Sequence, residues 1–185
     1  MSNVTSSISM SSNALLLLGH ETIASFTETT AGATLAANLY ESSYLSILTS
    51  HRWRFATKKA TLARLAAAPL NDYTYAYQIP SECLYLIQTD TVNYEVFGAE
   101  VYTNASTLEV EYIYRVDESK LPAYFSKMLE FYLAAQFAVP ITGDMDKGKY
   151  FSGMYLNELK KAKFTDSTQR PNVSMQAAPY VHTRY

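Results

Sequence analysis

The stretch that decides the fold is HRWRFATKKATLARL (51–65), followed after a short polar break by YTYAYQIPSECLYLI (73–87). Three tyrosines alternate with smaller residues at the start of the second part: Tyr73, Tyr75 and Tyr77. This two-residue period predicts a β-strand. Pro80 has no amide donor for a central ladder, so we expect this strand to end at Ile79.

The first part of the stretch carries two competing patterns. Trp53, the only tryptophan of the chain, alternates with Phe55 as residues in a strand do. Leu62, Leu65 and Ala66 instead have the spacing of a helical turn. We interpret this part as a strand followed by a turn.

Downstream of Pro80 the chain breaks into short runs typical of strands. With the first strand they are Tyr73–Ile79, Leu84–Gln88, Tyr94–Phe97, Glu100–Thr103 and Leu108–Arg115. Gly98 stands where a hairpin needs a positive φ, so we expect an antiparallel meander within residues 52–116. In the last run we expect Leu108, Val110, Tyr112 and Tyr114 to face the core, and Glu109, Glu111, Ile113 and Arg115 to face solvent or another subunit.

Helical patterns flank this sheet on both sides. The predicted helices are 12–19, 30–51, 121–139 and 145–163, with Ser12 and Thr29 or Thr30 as caps and Gly19 and Pro140 as stops. The serine-rich residues 1–11 and the aperiodic residues 165–185 are predicted to be extended arms. The expected fold class is α+β: a single domain, residues 12–164, with a bundle of about four helices and a central antiparallel β-sheet meander.

Composition narrows the possible functions. The 185 residues suit one domain, and a net charge of −2 gives no general reason to bind nucleic acid. A single cysteine excludes an internal disulfide, and no Cys/His spacing predicts a zinc site. The single cysteine is compatible with synthesis in a reducing host cytoplasm. The apolar run Ala14–Leu18 is too short to span a membrane, so we expect a soluble protein. No cofactor is expected.

Catalytic motifs are almost absent. The three histidines, His20, His51 and His182, are scattered, and no metalloprotease, nucleophile-elbow or phosphate-loop motif occurs. The best catalytic candidate is the pair Glu109 and Glu111, whose α-carbons would lie about 6.5–7 Å apart on one face of a strand. Two carboxylates at such a distance can hydrolyse glycosides if one is desolvated. A solvated strand face and an interface salt bridge are the alternatives.

An ordered set of motifs resembles a known family. The order His51-x-Trp53-x-Phe55-Ala56, then Ala-x-Leu-x-x-Leu (60–65), then YTYAYQIPSECL (73–84) is similar to the tail tubular protein A family of short-tailed bacteriophages. ALLLLG (14–19) upstream and LAAQFAVPIT (133–142) downstream follow in the family's order. The resemblance covers roughly residues 13–163. Glu82 and Tyr85 depart from it where an aspartate and a basic residue are expected.

The resemblance implies a structural protein of the virion tail, not an enzyme. Members form a ring, here expected to be a dodecamer, between the portal protein and the nozzle protein, tail tubular protein B; a tail fibre is a further possible partner. Double-stranded DNA would pass through the lumen without specific binding. The expected contact residues are Tyr112 and Tyr114 for the nozzle, Arg170 and Arg184 for the portal, and Tyr180 and Tyr185 as anchors into a neighbouring chain.

Two other function classes stay open at this point. One is a tail-associated enzyme that hydrolyses glycans with Glu109 and Glu111. The other is a host-encoded binding module, which would have no affinity for a portal ring. The exposed lysines near residue 160 are interpreted as a solvated helix end rather than a nucleic-acid site.

Overall fold

The computed structural model describes residues 5–70 and 72–169, and within them the predicted α+β class is confirmed. The helices are α1 (Ser7–Leu17), α2 (Ala31–Thr49), α3 (Ala123–Thr142) and α4 (Met145–Ser167). The strands are β1 (Thr57–Thr61), β2 (Ala63–Arg64), β3 (Tyr75–Gln78), β4 (Cys83–Thr89), β5 (Tyr94–Phe97), β6 (Glu100–Thr103) and β7 (Glu109–Tyr114). Short 3₁₀ turns occupy Arg54–Ala56 and Glu118–Lys120.

The strands divide between two antiparallel sheets rather than forming one meander. Sheet A has the order β1-β7-β4, and sheet B has the order β2-β3-β6-β5. Consecutive strands β3 and β4 therefore belong to different sheets, as do β4 and β5. The positions of the strands could be predicted because the alternation of apolar and polar side chains is a local pattern. Which strands pair with one another depends instead on which faces of the sheets bury each other.

The start of the sheet region differs from the prediction. Trp53 caps a 3₁₀ turn before β1 and Phe55 lies within that turn, because both rings pack with the helices instead of alternating across a strand. The predicted helical turn is absent as well: Leu62 donates its backbone N–H to Leu108 O at 2.8 Å, and β2 follows. Apolar spacing over so few residues does not separate a strand from a turn.

Strand β7 is buried on both faces. Leu108, just before it, and Val110 and Tyr112 are buried on one side as predicted, in a core that lies between the two sheets. Ile113 on the other face is also buried, in the helical core, so the expectation of a wet face there is wrong. β7 is the central strand of sheet A and the helices cover its second face, which alternation alone does not reveal.

The first helix begins earlier than predicted. Residues 7–11 are helical rather than part of an arm, because Ser6 and Ser9 form a capping box in which each side chain accepts the other's backbone N–H, at 3.1 and 2.8 Å. Met10 is also buried in the core. Helix α1 ends near Gly19, whose φ of 78° supports the predicted stop.

Two further helix ends move beyond their predicted bounds. Helix α3 continues through Pro140 to Thr142, and Gly143 at φ 67° then ends it. Pro140 stands in the last turn, where it removes one hydrogen bond without stopping the helix. Helix α4 runs to Ser167 because Asp166, near its end, is bound by the rest of the domain.

The helical core forms around α3, which contacts each of the other three helices. Its fully buried side chains include Phe125, Met128, Leu129, Leu133 and Phe137. Burying five such side chains stabilises the fold by roughly 1.5–3 kcal/mol each before conformational entropy is subtracted. A second, smaller apolar cluster lies between the sheets and includes Leu62, Tyr77, Val101, Leu108, Val110 and Tyr112.

Candidate functional site

The first motif of the resemblance, His51–Ala56, lies where the helices join sheet A. Trp53 is fully buried, and its indole N–H donates to Ile47 O at 3.1 Å. His51 packs edge-on against the Trp53 ring with centroids 4.7 Å apart, and Phe125 of α3 does so at 5.2 Å. The motif therefore holds the end of α2 against α3 and fixes where β1 begins.

A buried carboxylate completes this junction. Asp166 of α4 is 2% exposed and accepts the backbone N–H of Arg54 at 3.1 Å and the Tyr124 hydroxyl at 2.9 Å. Burial first, and then this hydrogen bond, raise the pKa of Tyr124. Sequence reasoning missed Asp166 because one acidic residue in a polar helix end carries no pattern. It ties the last turn of α4 to the start of sheet A.

His51 has a lowered pKa at this junction. Burial is the largest cause, and Lys163 lowers the pKa further, whereas Asp166 raises it. Neutral His51 acts here as a packing partner of Trp53. Cys83 has its own environment at the start of β4, where burial raises the pKa of its thiol.

Glu109 and Glu111 occupy different environments. Glu109 is exposed, whereas Glu111 is 8% exposed and accepts hydrogen bonds from the Arg52 guanidinium and, at 3.0 Å, from the Gln88 amide. The hollow beside both glutamates has a volume of about 100 Å³. Ligand pockets commonly measure roughly 300–1,000 Å³. Glu111 of sheet A is thus paired with Arg52, which precedes the sheet, and the hollow that both glutamates line is too small for a sugar.

The predicted interface residues fall into two groups. Tyr112 is 3% exposed, and its hydroxyl donates to Glu82 at 2.7 Å, so its side chain belongs to the inter-sheet core and does not present a docking surface. Tyr114 is half-buried beneath Lys58, whose Nζ lies 3.9 Å from the ring centroid. The other four lie outside the described residues: Arg170, Tyr180, Arg184 and Tyr185.

A large open groove lies between the sheets. This inter-sheet groove has a volume of about 990 Å³ and is lined by β4, by the end of β3 and by the β5–β6 hairpin. Leu84, Tyr85 and Val96 line it and remain exposed, Tyr85 by 57%. Cys83 also lines it.

The helices present two further apolar surfaces. The α4 face consists of Met145, Tyr150, Leu156 and Phe164, which are 53–71% exposed and fall within an arc of about 140° at 100° per residue. The α1–α3 groove, of about 730 Å³, is lined by Leu16, Leu17, Leu121 and Phe131 together with Glu130. Exposed apolar patches of this kind mark interaction surfaces.

Two kinds of feature are absent from residues 5–70 and 72–169. No helix there combines the length and apolar character that crossing a membrane requires. No cluster of three or more His, Cys, Asp or Glu side chains in these ranges could hold a metal ion. Compared with known proteins, the sequence matches no protein-family model and no curated protein.

Proposed function

We propose that this protein is a structural virion protein, the head-to-tail adaptor of the tail tubular protein A family in short-tailed bacteriophages. Twelve copies would form a ring between the portal and the nozzle, with the genome leaving through the lumen. The ordered motifs from residue 13 to residue 163 suggest the family. The observation that carries the proposal is the presence of two different exposed apolar surfaces on the helices.

Two different surfaces are what a ring requires. Each subunit of a closed ring contacts one neighbour with one surface and the other neighbour with another. The α4 face and the α1–α3 groove can serve as these two partners, because one offers projecting side chains and the other a hollow. The α4 face carries Lys160 and Lys163 beside the Lys149–Asp146 ion pair, and both Lys127 and Glu130 line the α1–α3 groove, so shape rather than charge distinguishes the two surfaces.

The sheets would then be free to contact the nozzle. Phe97 at the β5–β6 hairpin is 51% exposed and packs on Tyr102 with centroids 5.3 Å apart. Phe97 is therefore a better nozzle contact than the buried Tyr112. Portal binding by Arg170 remains part of the proposal.

The test is the native mass of the purified chain, alone and after mixing with portal rings of the same virus. We expect twelve copies to join each portal ring. Phe164→Asp places a charge in the α4 face and should prevent ring formation while the subunit stays folded, since Phe164 is 71% exposed. Thr165→Asp is the matched control: it adds the same charge one position along, on an exposed residue outside the arc.

Either of two results would refute the proposal. A chain that stays monomeric and ignores portal rings is not an adaptor. If Phe164→Asp and Thr165→Asp assemble equally well, the α4 face is not a ring contact. Circular dichroism of both variants checks that folding is unchanged.

A further inference from the structure

The inter-sheet groove is bordered by two strand edges that lack a partner within the described residues. β4 is the outer strand of sheet A, and β5 is the outer strand of sheet B. Both line the groove. An unpaired edge beside an apolar hollow is suited to an added strand, because the edge supplies backbone hydrogen bonds and the hollow receives alternate side chains.

A segment outside the described residues has the pattern of such a strand. Residues 180–185 read Tyr-Val-His-Thr-Arg-Tyr, a run of β-branched and aromatic residues interrupted by basic ones. Six residues is an ordinary strand length. Val181, Thr183 and Tyr185 would share one face of a strand, and His182 and Arg184 the other.

Charge favours the same pairing. Residues 170–185 contain two arginines and neither aspartate nor glutamate. Glu82 lies on the turn between Ser81 and Cys83, both of which line the groove, and Glu82 is accessible to solvent. Glu82 also pairs with Lys58 at 2.8 Å, and its exposed carboxylate would take Arg184 as a second cationic partner.

The chain is long enough to reach the groove within one subunit. Asp166 accepts a hydrogen bond from the backbone of Arg54, so Gln169, three residues after Asp166, lies within roughly 10 Å of Arg54. Thr57 follows Arg54 by three residues, which span at most about 10 Å. Thr57 pairs with Ile113, Ile113 pairs with Tyr85 of β4, and an added strand lies one spacing beyond β4, so the path crosses three strand spacings, about 15 Å. The chain from Gln169 to Tyr180 can span about 36 Å, which exceeds the total of about 35 Å.

We propose that residues 180–185 of the same chain bind in the inter-sheet groove as an added edge strand. Val181, Thr183 and Tyr185 face the apolar lining, and His182 and Arg184 face Glu82 and solvent. This assignment does not depend on the adaptor function, since it concerns the folded subunit alone.

Cys83 provides the first test, because the single natural cysteine lies in the groove. Four variants of the full chain each place a second cysteine along the segment: Val181→Cys, His182→Cys, Thr183→Cys and Arg184→Cys. After mild oxidation with diamide, we expect intramolecular disulfides with Cys83 to form faster at positions 181 and 183 than at 182 and 184. Non-reducing gels and mass spectrometry separate them from dimers, and the rates should not change on dilution.

The second test measures how fast Cys83 reacts with a thiol reagent. A chain that ends at Pro179 lacks the segment that would cover Cys83. Its Cys83 should react about tenfold faster than in the full chain, where the bound state of the segment would be favoured by a factor of about ten. Equal rates would overturn the proposal, as would equal cross-linking at all four positions. Cross-linked dimers in place of monomers would assign the groove to a second copy, and would also overturn it. Tryptophan fluorescence confirms that the shortened chain stays folded.

Discussion

Replacing Asp166 by alanine should strongly destabilise the domain. The carboxylate is 2% exposed and accepts hydrogen bonds from the Arg54 backbone and the Tyr124 hydroxyl. A hydrogen bond to a charged group contributes about 1.5–3 kcal/mol, and the variant also leaves two donors without a partner. We therefore expect the free energy of unfolding to fall by about 3 kcal/mol or more, a large share of the roughly 5–15 kcal/mol typical of a domain.

Urea unfolding followed by Trp53 fluorescence measures this loss, because Trp53 is fully buried in the folded state. With a slope of about 2 kcal/mol/M, the midpoint should fall by about 1.5 M. Tyr124→Phe removes one of the two bonds and should cost about 1 kcal/mol. Thr165→Ala, an exposed neighbour, should stay within about 0.5 kcal/mol of the natural chain. An Asp166→Ala midpoint equal to that of Thr165→Ala would refute this account of the junction.

Two further outcomes follow from the same geometry. Tyr112→Asp should cost on the order of 3–5 kcal/mol and unfold the sheets, whereas Tyr112→Phe should cost only about 1 kcal/mol; a well-folded Asp variant in thermal melts would contradict the burial of Tyr112. The lowered pKa of His51 means that folding favours its neutral form, so its stabilisation is present above its ordinary pKa of 6.5 and is lost as pH falls below it. The urea midpoint should therefore drop more between pH 7.5 and pH 5 in the natural chain than in His51→Gln, and equal drops would argue against it.

Local sequence patterns predicted most of the helices and strands of this fold, but not which of them pack or pair with one another. The bounds of Tyr94–Phe97 and Glu100–Thr103 were predicted correctly because a glycine turn and two-residue alternation are both local signals. The separation into two sheets, the burial of Ile113 and the role of Asp166 depend on contacts between residues far apart in the chain. No window of sequence contains both partners of such a contact.

The candidate surfaces were harder to predict than the core. Tyr112 was predicted to be an interface residue because the hydroxyl group of tyrosine suits partly buried surfaces. In the structure this hydroxyl donates a hydrogen bond to Glu82 inside the domain. The exposed α4 residues Tyr150, Leu156 and Phe164 were not predicted as a surface, since a helix pattern shows that a face is apolar but not whether anything covers it.

The double burial of β7 has a mechanical consequence. Its two faces belong to the helical core and to the inter-sheet cluster, and its two edges are paired with β1 and β4. Pulling on sheet A is thus resisted by two hydrogen-bonded ladders loaded together, and the helices cannot separate from sheet A without exposing Ile113 and the helical core around it. The subunit should transmit a force from one end to the other as a single rigid piece, and should unfold in one cooperative step.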